Sequence, residues 1–536
     1  MFRTTFALGL AALVGTLAGC RESPRAQVVV ETAPSGTPYV PPQCYTKTQD
    51  ADGRVHNPCF TCHADAAPPN YAADGSLQLA YEFGPASRVN PWTNLFVDRT
   101  AAVAAMSDEW MTNYVRQDNY RNMARGSGWQ PDIAFHFDDE GFDRAEDGAY
   151  TGWRAYAYYP LPGSFWPTNG SFGDALIRLP EAFRQDRAGS VDRGVYAINL
   201  AILEALIARR DVAIPASDER ALEQDLDGDG VLGDARVVRY RWKPGGGGMG
   251  WVGRAAALQS DGTVHLAAGL FPEGTEIAHS LRYLDVDKGK VRMAPRMKEL
   301  RYMMKRRWVS YGQLEQQAAA EASEKTQSPH KTRALVADGE RGIGNGAGWR
   351  LQGFIEDTGG ALRPQNLEEH AFCIGCHSGL GVTDDSVISF GRKLPSASFR
   401  RGWFHPTQRG LEGLAEPTRA DGRGEYTAYL EWNGAGDELR ANDEVLARFF
   451  DAAGQLKPEM ASRASADVSE LLLPSPERAL RLDKAYRAIV REQSFTRGRD
   501  ATITPPVHVH RELAEGDPAT GIVEARLDRR RATRAK

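Results

Sequence analysis

Two pentapeptides constrain this chain more than anything else in it. Cys59-Phe60-Thr61-Cys62-His63 lies near the start and Cys373-Ile374-Gly375-Cys376-His377 in the last third, and both read C-x-x-C-H. The chain has six cysteines, at positions 20, 44, 59, 62, 373 and 376. In an exported protein, six would first suggest three disulfides. The spacing argues otherwise, because four of the six form close pairs, each followed directly by a histidine. A single C-x-x-C can be a redox dithiol or half of a zinc site that happens to precede a histidine, but two C-x-x-C-H motifs in one exported chain argue against chance.

The chemistry that needs this spacing is covalent haem attachment. Two thiols presented together by a short helical turn add across the two vinyl groups of one porphyrin, and the adjacent histidine lies under the iron as proximal ligand. The sequence therefore predicts two covalently attached c-type haems, one on Cys59, Cys62 and His63, the other on Cys373, Cys376 and His377. With the motifs so far apart, each haem is expected in its own lobe. A further histidine stands three residues before each pair, His56 and His370, so both regions read H-x-x-C-x-x-C-H. These two are candidate sixth ligands in a crossed arrangement, each reaching the other lobe's iron; the alternative is that they bind a propionate or merely pack. His405, in RRGWFHPTQRG, is the leading candidate for the second haem. Of the remaining imidazoles considered, His136, His279 and His330, His279 reads as a satisfied strand histidine. Met249, Met293, Met297, Met303, Met304 and Met460 are thioether candidates, and methionine ligation would raise the potential relative to two histidines.

The N-terminus, MFRTTFALGLAALVGTLAGC, has a short basic n-region, an apolar stretch from Phe6 to about Leu17 and small residues before a cysteine. That is a secretory signal. Leu17-Ala18-Gly19-Cys20 resembles the lipobox of bacterial lipoproteins, in which the cysteine is lipidated and becomes the first mature residue. The resemblance implies a membrane anchor at Cys20, and Arg21 in place of an aspartate implies the outer membrane. YAINLAILEALIA, residues 196–208, carries Asn199 and Glu204 and falls short of the ~20 residues a membrane span needs, so it reads as a buried helix. The formal net charge of −5 argues neither for nucleic acid nor for a polybasic membrane patch. The expected partners are redox proteins, and the membrane through the N-terminal lipid. With Cys20 on lipid and four cysteines on haem, Cys44 is left as a buried free thiol, a link to another chain or a thiolate near the first haem.

Asp225, Asp227, Asp229 and Gly230 form D-x-D-x-D-G, the start of a calcium loop in which short carboxylates converge on one hard cation. The EF-hand glutamate is replaced by Arg236, and Asp234 at the tenth position is the substitute ligand; the alternative is an acidic surface turn. The fold expected is α+β, with two loop-rich helical haem lobes flanking a β-containing middle. Its segments are a signal peptide (1–19), a tether (20–43), a first haem lobe with the acidic loop (44–235), a β-rich middle with a long basic helix (236–362), a second haem lobe (363–510) and a disordered tail (511–536). Helices are expected over 100–126, 192–210 and 294–325, and strands over 237–242, 274–286 and 348–360.

Export, tethering and two haems together point to an electron-transfer cytochrome. The two motifs and the acidic loop also resemble the dihaem cytochrome c peroxidase and MauG class, and the motifs alone resemble dihaem rubber oxygenases. The first resemblance implies an enzyme in which one haem feeds electrons to another with an open distal site, with calcium between them. The separation of the motifs is longer here than is usual in that class.

Overall fold

An 11-stranded sheet, antiparallel throughout, runs through the centre of the computed structural model. The structure describes residues 30–32, 40–49, 52–66, 68–71, 73–80, 83–121, 123, 130–245, 247–328, 336–338, 341–433, 442–514 and 520–527. The signal peptide, Cys20 and most of the tether lie outside these. Eight strands of the sheet are β1 (Phe142–Arg144), β2 (Tyr150–Ala155), β3 (Phe172–Gly173), β4 (Leu176–Arg178), β5 (Glu276–Asp287), β6 (Lys290–Lys305), β7 (Trp349–Glu356) and β8 (Leu362–Pro364). The order from one edge is Val30–Thr32, Val336–Asp338, Ile343–Gly344, β7, β6, β5, β4, β2, β1, with β3 paired to β5 and β8 to β7. The molecule is α+β, as its sequence suggested.

The long hairpin of β5 and β6 replaces half of an expected helix. Residues 294–325 read as one helix, yet 294–305 belong to β6 and the helix occupies only Tyr311–Gln327. Pro295 cannot donate inside a helix, and most of β6 is buried on both faces. A strand buried on both faces loses the polar-out alternation that identifies it, and its apolar positions mimic a helical stripe. The helix expected over 100–126 is two short ones, Thr100–Ala104 and Asp108–Val115, the second capped by Ser107, whose hydroxyl accepts from the Trp110 N–H. The strand expected over 237–242 lies at Asp234–Val238.

Helix α1 (Arg193–Ala208) is the buried helix that its apolar run predicts. Its Asn199 is hydrogen-bonded and its Glu204 ion-paired inside the core. Asn199 donates to the Phe183 carbonyl at 2.9 Å and accepts from the Val252 N–H at 3.0 Å, and Glu204 pairs with buried Lys393 at 2.9 Å. Two further helices position the site: α2 (Leu367–Ile374), which carries Cys373, and α3 (Pro476–Glu492), which packs on β5. Because β1–β4 join the same sheet as β5–β8, the segments 44–235 and 236–362 share one sheet rather than forming separate lobes. The tail was expected to be disordered. Instead residues 520–527 pack against the first motif: the Asn57 N–H donates to the Thr520 carbonyl at 2.8 Å and Ile522 is buried with Phe60. Among the described residues no helix is long and apolar enough to cross a membrane.

Candidate functional site

Both motifs turn the chain in the same way. The Cys59 carbonyl accepts from the N–H of Cys62 at 3.2 Å and of His63 at 2.8 Å; the Cys373 carbonyl accepts from Cys376 at 3.2 Å and His377 at 2.9 Å. The first turn follows Pro58, and the second is the C-terminal end of α2, whose start is fixed by an Asn366–Glu369 capping box. One tight turn thus sets two thiols and an imidazole on the same side in each motif.

Expected in lobes at opposite ends, the two motifs instead line a single cavity of about 2060 Å³ measured out to its open mouth. The loop after the second motif lies on the first: the Val382 N–H donates to the Cys62 carbonyl at 3.2 Å. Alternate residues of the sheet form one wall, since i and i+2 share a face. Ile277, His279 and Leu281 of β5 line it beside Arg301 and Met303 of β6 and Leu351 of β7. In register, Ile277 stands opposite Met303 and Met303 opposite Leu351, while His279 stands opposite Arg301.

The imidazole of each motif is held by a hydrogen bond at Nδ1. His377 donates its Nδ1–H to the Ser386 carbonyl at 2.8 Å, and His63 its Nδ1–H to Asp74 Oδ1 at 3.2 Å. Each bond fixes the tautomer that leaves an Nε2 lone pair, the usual arrangement for a ligating histidine. Burial above all holds His377 down at about 4, so the ring is neutral at pH 7. The Ser386 carbonyl is itself held in place. Asp385 and Ser386 both have positive φ, at 49° and 67°, and the Asp385 carboxylate is clasped by Lys305 at 2.6 Å with both side chains fully buried. Such left-handed residues cost about 1–2 kcal/mol each.

Burial raises all four thiols of the motifs. Burial, with Cys62 next, pushes Cys59 up to about 12, and burial likewise pushes Cys376 up to about 12. Burial also raises Cys62 and Cys373. A dithiol that exchanges disulfides has a lowered thiol instead. Cys44 lines the same cavity, half-buried and free, its thiol pushed up by burial and then by Cys59, Cys62 and Cys376.

Polar atoms on the cavity wall lack partners inside the protein. Trp166 Nε1, Tyr486 Oη and Arg499 Nε are buried donors, and Asn169 Oδ1 and Gln352 Oε1 buried acceptors, without a hydrogen bond among the described residues. Buried polar groups are nearly always paired. With the cations Lys298, Arg301 and Arg499 on the same wall, these donors suit carboxylates such as haem propionates. The thiol pairs, the free Nε2 atoms and this polar set fit two c-type haems.

Comparison with known proteins agrees with the N-terminal reading. A family model described as a "-like lipoprotein" matches residues 27–469. The chain belongs to this lipoprotein family. An uncharacterized lipoprotein of Aquifex aeolicus (strain VF5) is 30% identical over 567 residues, covering 92% of this chain and 91% of that protein. No solved structure matches. Membership carries export and attachment to a membrane through lipid.

In this lipoprotein the three distal candidates stand away from the cavity wall. His56 is buried in a small hairpin, with Nδ1 2.9 Å from the Thr48 hydroxyl, which also donates to the His56 carbonyl at 2.8 Å. His370 is used at both nitrogens, Nε2 accepting from the Gly353 N–H and Nδ1 donating to the Asn366 carbonyl, each at 2.8 Å. It ties α2 to β7. His405 donates from Nε2 to Asp174 Oδ2 at 3.0 Å, accepts at Nδ1 from the Thr407 N–H at 3.3 Å, and stacks on Phe137. Neither histidine of the repeated H-x-x-C-x-x-C-H pattern is among the residues that line the cavity, and His370 is committed at both nitrogens. His136 is exposed beside Arg121, and His330 lies outside the described residues. Met303 lines the cavity, whereas Met293, Met297 and Met304 pack in hydrophobic clusters.

His279, read as a satisfied strand histidine, is only half satisfied: Nδ1 donates to the Asp174 carbonyl and the ring lines the cavity. The signal was present in Ile277-x-His279-x-Leu281, an imidazole on an otherwise apolar strand face. At the acidic loop, oxygens of Asp225, Asp227 and Glu219 lie within 4.8 Å of one another, whereas Asp229 and Asp234 are not of this group. Asp229 instead accepts from the Val231 N–H at 2.7 Å, and Asp234 opens a strand paired to Asp218. Glu219 precedes the motif, so the pattern could not reveal it.

Proposed function

We propose that this lipoprotein is a dihaem c-type cytochrome that passes single electrons between redox proteins in the periplasm or at the cell surface, anchored to the outer membrane. One observation carries the reading: two C-x-x-C-H motifs remote in sequence line one cavity with both cysteines and the histidine of each. Cys59, Cys62 and His63 would hold one haem and Cys373, Cys376 and His377 the other, with Lys298, Arg301 and Arg499 meeting propionates. Bound haem supplies one-electron redox chemistry. The chain's own contribution is to keep the two groups side by side, to shield them with the sheet face and to fix the proximal rings through Asp74 and Ser386. A structural calcium belongs to the same reading, at Glu219, Asp225 and Asp227.

A second reading, an enzyme of peroxidase or oxygenase type, is favoured by the histidine count on the wall. Two irons would take His63 and His377, and His279 is the one further histidine among the described lining residues. One iron then lacks a second imidazole, which suits an open site.

The test is haem content after expression with the cytochrome c maturation system. Two haems per chain that survive denaturation are expected, and one in C59A/C62A or C373A/C376A. No covalent haem in the full chain would overturn the proposal. Reaction of a high-spin haem with peroxide would select the enzyme over the carrier.

A further inference from the structure

The cavity holds one imidazole that belongs to neither attachment motif, and it is built like the two that do. His279 donates Nδ1–H to a main-chain carbonyl, that of Asp174, just as His377 donates to that of Ser386. The tautomer is fixed, and Nε2 keeps its lone pair. Residue 174 is itself locked. Its carboxylate accepts from the Ser280 N–H at 2.6 Å, the Ser280 hydroxyl at 2.5 Å and His405 Nε2 at 3.0 Å, with the Arg282 guanidinium 3.4 Å away. His405, the ligand candidate from sequence, thus supports the residue that orients His279. A hydrogen-bonded shell of this kind is what ligating histidines have in metal sites.

The ring is also held from the sides. Phe165 meets it edge-on at 5.8 Å and Tyr158 at 6.2 Å. Gly173 leaves the room they need: a Cβ there would come within 2.9 Å of His279 Cε1 and 2.8 Å of the Tyr158 hydroxyl. Of the two motifs, His279 stands in the row of the sheet that holds the second. It is opposite Arg301, Arg301 is opposite Gly353, and the Gly353 N–H donates at 2.8 Å to His370 of α2, the helix that carries Cys373.

We infer that His279, through Nε2, is the second axial ligand of the iron that His377 binds. The inference rests on the dihaem reading and adds to it an axial partner for one of the two sites. That site is then a bis-histidine electron-transfer centre, and any open iron is the one at His63.

The experiment uses the full-length holoprotein, with haem content measured first. Fewer than two covalent haems in the wild type would fail the dihaem reading itself, before His279 is at issue. With two haems present, H279A should keep both while one changes from low-spin to high-spin ferric by optical and electron paramagnetic resonance spectra, and added imidazole should restore it. H279M, which fills the same position and answers the case where H279A does not fold, should keep that haem six-coordinate and raise its midpoint potential. In a C59A/C62A background, which retains the second haem alone, H279A should convert all of the haem. Unchanged spin states in H279A, an unchanged potential in H279M, or a change seen only when the first haem alone is retained would each overturn the inference. A histidine that merely bonds a propionate gives the first two of these results.

Discussion

The His370 imidazole receives the Gly353 N–H at one nitrogen and gives its other N–H to Asn366, so it has no place for an added proton. Burial before anything else lowers it to about 4, against about 6.5 in an unfolded chain. Between these values the unfolded chain binds a proton that the folded one refuses. The stabilisation is therefore complete above pH ~6.5 and is lost as pH falls toward 4, by up to roughly 3 kcal/mol. Urea unfolding should show a falling midpoint from pH 7 to 4.5, and H370Q should flatten that slope. At this scale the two C-x-x-C-H turns were legible from spacing alone, since such a motif depends only on neighbours along the chain. It could not separate His279 from His370 and His405. All three lie in apolar stretches, and only their partners in space decide which nitrogen is free. Asp174 illustrates this: burial alone would raise its carboxyl, but the His405 hydrogen bond and Arg282 outweigh burial and hold it below the usual range.

Four elements meet at Glu356 on β7. Its carboxylate takes Arg296 of β6 at 2.6 Å, the Tyr283 hydroxyl of β5 at 2.6 Å and the Tyr114 hydroxyl of the Asp108–Val115 helix, all in the interior. Removing one partner from such a group leaves an uncompensated buried charge, which costs about 3–5 kcal/mol. E356Q should lower unfolding stability by that amount in urea, with the far-UV circular dichroism of the folded form unchanged. Isolated elements with a plain period were legible in the sequence: α1, β5 and β7 all formed where their patterns indicated. β6 was not, because Met293, the pair Met297 and Leu300, and Met303 are buried in three separate clusters, and that two-sided burial is a property of the sheet.

At the scale of the whole molecule, the C-terminal segment closes over the first motif. Val509 bridges to Thr46, Glu512 to Val89, Thr520 takes the Asn57 N–H, and the Arg526 N–H donates to Gln78 at 2.9 Å. Burying Ile522 alone contributes about 2 kcal/mol. A chain ending at residue 514 should be cut faster by protease around residues 52–66 while the region of the second motif keeps its protection, as mass spectrometry of the fragments would show. The sequence by itself determined what each short stretch can do: two turns that each offer paired thiols and a histidine, a lipidation signal, an apolar helix and an α+β composition. Each depends on residues within a turn or two of one another. Only the tertiary structure decided that β1–β4 join β5–β8 in one sheet, that the motifs face each other across its surface and that His279 joins them there. Those outcomes depend on strand pairing and burial between residues hundreds of positions apart, for which local periodicity carries no signal.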